Sequence, residues 1–334
     1  MNTQIMVEVI LGSTGVSLPY TVDFTALPDG NLPAAFGSIP TWAVSGGKAV
    51  CTPTEGVNIL TNPGLEGTPP NGWAYITSSA ASVADPRPGS AGAACYEVTA
   101  SAADGAIYQS NTLAQIPLFF IARAWAKPGT SNASLRMNGG NSGLLSAAVA
   151  GWNEYVVRGF RTLQSSIFWN LRVTTNGGTA RFDDTEVRPI TGVFGGMRSP
   201  RPLITVRANV YTPITGTEQS PVGVYLCAND RLSPTSMVLV IIWGNDTGGA
   251  KYVRAYKVVN GAMTALFGST SVVYVAGAPI EIRRTASTTF QIFYNGTQVS
   301  TDQTITDTEI VNNQNYCGMI ATGGAASVDA FFLL

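Results

Sequence analysis

Apolar residues in this chain recur in alternation or in short runs, and almost never at the three-and-four spacing of an amphipathic helix. The segments 155–161, 166–174, 203–211, 223–228, 237–243, 252–259, 279–284 and 289–294 each read as a strand bounded by Gly, Pro, Asn, Asp or Ser. Asn295-Gly296 stands between the last of these and 297–300. That dipeptide predicts a tight hairpin, because both residues tolerate positive φ. The pattern predicts an all-β chain of two nested antiparallel β-sandwiches (jelly rolls), one inserted in the other.

Turn-rich punctuation places the boundaries. Thr52-Pro53-Thr54-Glu55-Gly56 closes one short strand and Arg188-Pro189-Ile190-Thr191-Gly192 another. Between them, 58–191 reads as a self-contained module. The residues before it are too few for an ordinary domain, so 20–57 plus 192–334 are expected to form one sandwich that carries the module at a loop tip. Residues 1–19 form an N-terminal arm. Its 5–11 stretch is long and apolar for a chain end, and an unpaired strand of that kind is an aggregation hazard. It is therefore expected to dock on a neighbouring subunit or domain. No apolar run approaches the roughly 18 residues that a membrane span needs, and 1–11 lacks the basic start and small-residue cleavage site of a secretory signal.

Composition narrows the chemistry. The 334 residues include 36 Gly, 19 Pro and no His, and only 12% are charged, against about 25% in an average soluble domain. The net charge of −1 offers no basic excess for nucleic acid. Without His there is no Ser-His-Asp or Cys-His catalysis, no His-ligated zinc and no imidazole pH switch. Scarce charge is also how interface surfaces look, so much of this surface is expected to be covered by neighbours. Of the 19 basic residues only Lys48, Lys127, Lys251 and Lys257 are Lys. That bias suits interfaces, where the Arg fork is useful, but a GC-rich genome produces the same bias and is the preferred explanation. Cys51, Cys95, Cys227 and Cys317 show no C-x-x-C spacing and sit in apolar stretches. They read as buried free thiols, with a Cys227–Cys317 disulfide as the competing possibility.

Several ordered motifs carry resemblances. Asn62-Pro63-Gly64-Leu65-Glu66-Gly67, Gly72-Trp73, Ala94-Cys95-Tyr96-Glu97-Val98, 120–127, Gly151-Trp152-Asn153-Glu154-Tyr155 and Phe182-Asp183-Asp184-Thr185-Glu186-Val187 follow one another as in the jelly-roll carbohydrate-binding modules found beside xylanases and cellulases. Val22-Asp23-Phe24, Trp42, Gly223-Val224-Tyr225-Leu226, Tyr294-Asn295-Gly296, Cys317-Gly318-Met319-Ile320 and 327–333 resemble concanavalin-A-like (laminin-G-like) lectin sandwiches. That resemblance implies that the strand near Phe24 pairs with the one near Phe332. The Glu-x-Asp-x-x-Glu motif of β-glucanases on the same fold is absent. Residues 5–13 resemble the opening strand of tail-associated proteins of tailed bacteriophages.

Candidate sites follow. The carbohydrate-binding-module resemblance implies one structural Ca²⁺ held by Glu66, Asp183 and backbone carbonyls, since hard oxygen ligands suit that ion; a turn-capping role for Asp183 is the equal alternative. Leu65 stands where that family usually has Phe. For glycan contact, Trp73, Tyr75 and Tyr108 are the surface candidates, with Trp73 and Tyr75 expected on one face at i, i+2. Trp125, Trp152, Trp42, Trp243 and Tyr252 are expected in the cores. A glycosidase needs two carboxylates flanking the bond. Asp183 and Asp184, adjacent on a predicted strand, would point to opposite faces, so no catalytic pair is assigned.

These readings converge on a non-enzymatic structural and adhesion protein of a phage particle, tail-associated or decorating, with other virion proteins, copies of itself and host surface glycans as partners. It would be made in the host cytoplasm, without membrane insertion. A bacterial carbohydrate-binding lectin or module is the alternative, and a glycoside hydrolase or lyase the third reading.

Overall fold

The computed structural model describes residues 16–112, 119–138, 144–147, 150–160, 166–200, 202, 204–212, 218–244, 251–312 and 315–334. The expected docking strand at 5–11 lies outside the described residues. Among them, four sheets hold nearly all the regular structure, and the fold is all-β with antiparallel sheets packed in pairs.

Sheet 1 runs in the order Gly30–Asn31, Trp42–Ser45, Lys48–Cys51, Ser327–Leu333, Thr205–Tyr211, Pro279–Arg284, Thr289–Tyr294, Thr297–Gln298. Tyr20–Asp23 also pairs with Ser327–Leu333, with Thr21 opposite Phe332. The first described strand and the last therefore lie side by side, as the lectin resemblance implies. At the predicted hairpin, Asn295 and Gly296 have φ of 48° and 77°, the left-handed pair that a two-residue turn requires.

Sheet 2 runs Phe194–Arg198, Tyr316–Ala321, Val222–Ala228, Met237–Gly244, Lys251–Val259, Ala262–Ala265. Its inner strands Val222–Ala228 and Met237–Gly244 are apolar on both faces. Val238, Val240 and Ile242 share a core with Val206, Ile280, Ile282 and Phe331 of sheet 1. The alternate residues Met237, Leu239, Ile241 and Trp243 belong to a second cluster with Phe119, Ile121 and Ile190. Alternating strands that are buried on both sides read as continuous hydrophobic runs, which is why 237–243 shows no polar position.

The segment between the two halves of sheet 1 forms sheets 3 and 4. Sheet 3 runs Asn153–Phe160, Phe119–Pro128, Thr179–Thr191, Cys95–Ala100, Ser78–Val83. Sheet 4 runs Leu144–Ala147, Ala133–Asn138, Ser166–Val173, Gly105–Thr112, Ala74–Ile76. Tyr96, Phe120, Tyr155 and Phe182 from sheet 3 meet Ile107, Leu135, Trp169 and Leu171 from sheet 4 in a common core. Two short flanking strands also join sheet 3. Thr54–Glu55 pairs with Ile190 and Thr191, and Glu218–Gln219 lies parallel to Val156 and Val157. The module is thus stitched to the sandwich by backbone hydrogen bonds on both sides.

All four cysteines are buried free thiols, so no Cys227–Cys317 disulfide is formed. Cys227, at φ 58°, sits in the irregularity between Tyr225 and Ala228 where the pairing with Tyr316–Ala321 shifts register. Trp42 and Trp243 are core residues as expected, whereas Tyr252 is half-buried with its ring 6.2 Å from that of Trp243.

Candidate functional site

The three aromatic candidates separate. Trp73 is 3% exposed and packs in the module core, with its indole N–H directed at the Asn62 carbonyl 3.4 Å away. The turn before it folds the ring inward, and an enclosed ring offers no face to a sugar. Trp73 is therefore a core residue. Tyr75 is 40% exposed on the edge strand Ala74–Ile76, so it does not share the surroundings of Trp73. Tyr108 lies on the outer face of sheet 4, since its neighbours Ile107 and Gln109 face the core side and are buried.

Tyr108 is part of a cross-strand row. In register it lies opposite Asn170, and Asn170 lies opposite Arg136, so three adjacent strands place a phenol, an amide and a guanidinium side by side. Phe168 adds a second ring, 6.2 Å from Tyr108 with planes at 33°. The two rings form a nearly continuous apolar step. Asn170 is held by a bond from its Nδ2 to the Arg136 carbonyl at 3.4 Å. On the same face Arg172 is neutralised by Asp104 at 2.7 Å. Arg136 is exposed and has no ion pair among the described residues. The sequence singles out Tyr108 but not its neighbours Phe168, Asn170 and Arg136. The 166–174 strand was visible, but its register against 105–112 and 133–138 was not.

The carboxylates form a separate nest behind sheet 3. Asp183 is fully buried, and its two oxygens accept the backbone N–H groups of Arg87 at 2.9 Å and Asp184 at 2.8 Å. It therefore does tie down a turn, as one of the two sequence readings had it. Burial pushes its carboxyl above the usual range, and the charges of Asp184 and Glu66 add to the shift. Glu66 reaches the same region. Its Oε1 is buried without a hydrogen-bond partner, and it presses so close to Gly92 that a Cβ there would sit 1.6 Å away. An orphaned carboxylate oxygen beside a second, desolvated carboxylate fits a hard cation. The Glu66 carbonyl is not available to it, being occupied by Asn62 and Asn71, each at 3.0 Å. Among the described residues no group of three or more acidic, Cys or His side chains converges, so most ligands would be backbone carbonyls and water.

Asp183 and Asp184 do not simply alternate across a strand. A bulge separates their environments, and Asp184 turns outward to an ion pair with Arg87 Nε at 2.6 Å. Trp125 and Trp152 also differ from expectation, both being half-buried rather than core. On Phe119–Pro128 the alanines at 122, 124 and 126 take the core side, which leaves Trp125 on the outer face.

No protein-family model matches the chain, and no curated protein matches it. Several solved structures overlap it. The CBM22-1 xylan-binding domain of Xyn10C from Paenibacillus barcinonensis is 17% identical over 37% of this chain and 88% of that one, with a TM-score of 0.29. The CBM22-1–CBM22-2 tandem of the same protein is 11% identical over 80% and 98%, with a TM-score of 0.33. Sheep galectin-11 in complex with glycerol is 10% identical over 42% and 97%, with a TM-score of 0.28. Each overlap is loose, and the β-sandwich architecture rests on the sheet topology itself.

Proposed function

We propose that this chain is a non-catalytic glycan-binding adhesion protein that uses the outer face of sheet 4. The observation that carries this reading is the row Tyr108–Asn170–Arg136 with Phe168 beside it. Aromatic faces stack on the C–H surface of a pyranose. Asn170, 6% exposed and bonded to the Arg136 carbonyl, spaces the row, and the exposed Arg136 guanidinium donates to the sugar hydroxyls. An open, shallow face of this kind binds one chain weakly and gains strength through copies. Glu66 and Asp183 would hold a structural Ca²⁺, which would neutralise the buried carboxylates and brace the loop before Trp73.

The narrower form of this reading places the protein on a tailed-phage particle, with other virion proteins and copies of itself as partners. The resemblance at residues 5–13 and the low charge of the chain support it. Binding of the purified chain to an array of bacterial and plant polysaccharides, repeated with Tyr108→Ala, tests the glycan reading. Selective signals that Tyr108→Ala abolishes are expected. Signals absent throughout, or indifferent to Tyr108, would end it. Gold-labelled antibody on intact particles tests the virion reading, and unlabelled particles would refute it.

A further inference from the structure

The outer face of sheet 3 is a field of paired charges with an indole in its midst. Arg123 is clamped by Glu55 and Glu186, and Lys127 by Asp85 at 2.8 Å. Trp125 stands between them, with the Arg87 guanidinium 4.9 Å from its ring centroid. Together with Arg87, Arg123, Glu154, Asp184 and Glu186 it lines a cavity of about 350 Å³, at the small end of the roughly 300–1,000 Å³ of small-molecule sites.

The backbone is shaped to build this cavity. Arg123 pairs with Glu186 and Trp125 with Asp183, so Asp184 and Thr185 together oppose the single residue Ala124. Such a bulge re-aims a side chain. Asp184 accordingly adopts φ 39°, a left-handed conformation that non-Gly residues rarely take and that concentrates at ligand sites. Across the neighbouring strand, Glu154 lies directly opposite Trp125. It is exposed and has no ion pair among the described residues.

We propose that this cavity is a second carbohydrate subsite, for one neutral pyranose unit, with Trp125 as the stacking surface and Glu154, Asp184 and Glu186 as hydroxyl acceptors. The charges turn away anionic sugars. Arg87 is balanced by Asp184 and Arg123 by Glu186, and Glu154, without an ion pair among the described residues, adds one negative charge to the lining. Hydroxyl groups donate to the carboxylates and accept from the guanidiniums without breaking either pair. This subsite lies on the opposite sheet from the Tyr108 row and does not depend on it. With both occupied, a single module would bridge two glycan chains.

The test follows the Trp125 indole N–H by NMR in protein carrying ¹⁵N-labelled tryptophan. The probes are the methyl glycosides of glucose, galactose, mannose and xylose, each titrated to saturation or to its solubility. At least one should give a saturable shift, unchanged in Tyr108→Ala and about tenfold weaker in Glu154→Ala, the loss expected for a hydrogen bond to a charged group. Glu154 is exposed, so that variant keeps its fold, which the remaining indole signals verify. No saturable shift with any of the glycosides, or one that Glu154→Ala leaves unchanged, overturns the proposal. Loss of the shift in Tyr108→Ala would also overturn it, by assigning the sugar to sheet 4.

Discussion

Phe119 meets Phe194 edge-on, with ring centroids 5.8 Å apart and planes at 75°. Phe119 begins the central strand of sheet 3 and Phe194 the first strand of sheet 2. Phe194 in turn stands edge-on to Tyr225 at 5.3 Å. These three rings belong to the apolar cluster that joins the module to sheet 2. Phe119→Ala should destabilise the chain by about 3–5 kcal/mol, the usual cost of emptying a buried aromatic site. Urea unfolding followed by tryptophan fluorescence measures it, and a loss below about 1 kcal/mol would mean that the contact is not maintained in solution.

The sheet 4 row makes an independent prediction. Arg136→Ala should weaken polysaccharide retention in affinity electrophoresis by about tenfold, while the melting temperature stays unchanged, because Arg136 is exposed and holds no partner through its charge. Ser110 is exposed on the same face, and Ser110→Ala should leave retention intact.

Calcium should stabilise the chain. At a hundredfold excess over its dissociation constant the gain is about 2.7 kcal/mol, read as a rise in melting temperature that EDTA reverses. Glu66→Gln should abolish the rise, since the orphaned Oε1 is the atom that the ion would engage. An identical calcium response in that variant would remove Glu66 from the ligand set.

Lys251 gives a pH signature. It is 2% exposed, and burial pulls its ammonium down to about 8. Between that value and the ordinary Lys range the unfolded chain holds the proton that the native chain has lost, so stability rises with pH across this window. Lys251→Met should therefore be more stabilising at pH 7 than at pH 10 in urea titrations. An equal effect at both values would show that the ammonium remains hydrated.

The thiols should be inert in the native state. Burial pushes Cys51 and Cys95 up to about 12 and Cys227 up to about 11, and it raises Cys317 as well. Thiolate is the reactive form, so an aromatic disulfide reagent at pH 8 should modify none of the four until denaturant is added.

Much of the fold was legible because strand periodicity is local. The 279–284 and 289–294 patterns coincide with Pro279–Arg284 and Thr289–Tyr294, and 237–243 with Met237–Gly244. The facing of individual side chains was less legible. Trp125 was expected inside because indoles usually are, yet the alanines beside it fill the core side. Trp73 was expected outside because it follows a turn, yet that turn bends it inward. In both cases the packing of the module core decides, and that core joins residues far apart in the chain. The bulge at Asp184 is not legible in the sequence, since it exists only in relation to Ala124 on the neighbouring strand.

The inner strands of sheet 2 are apolar on both faces, and the module supplies Phe119, Ile121 and Ile190 to the cluster on its outer side. This arrangement bears on how the protein can be cut and recombined. Many binding modules travel between proteins as removable cassettes, excised at their linkers without harm to the host. Removing 58–191 here would strip those three residues from the cluster and take away the strands that Thr54–Glu55 and Glu218–Gln219 pair with. The remaining sandwich would be left sticky and prone to aggregate. The two parts are therefore committed to each other, and an engineer who wants a different sugar specificity should recarve the faces in place rather than exchange the module.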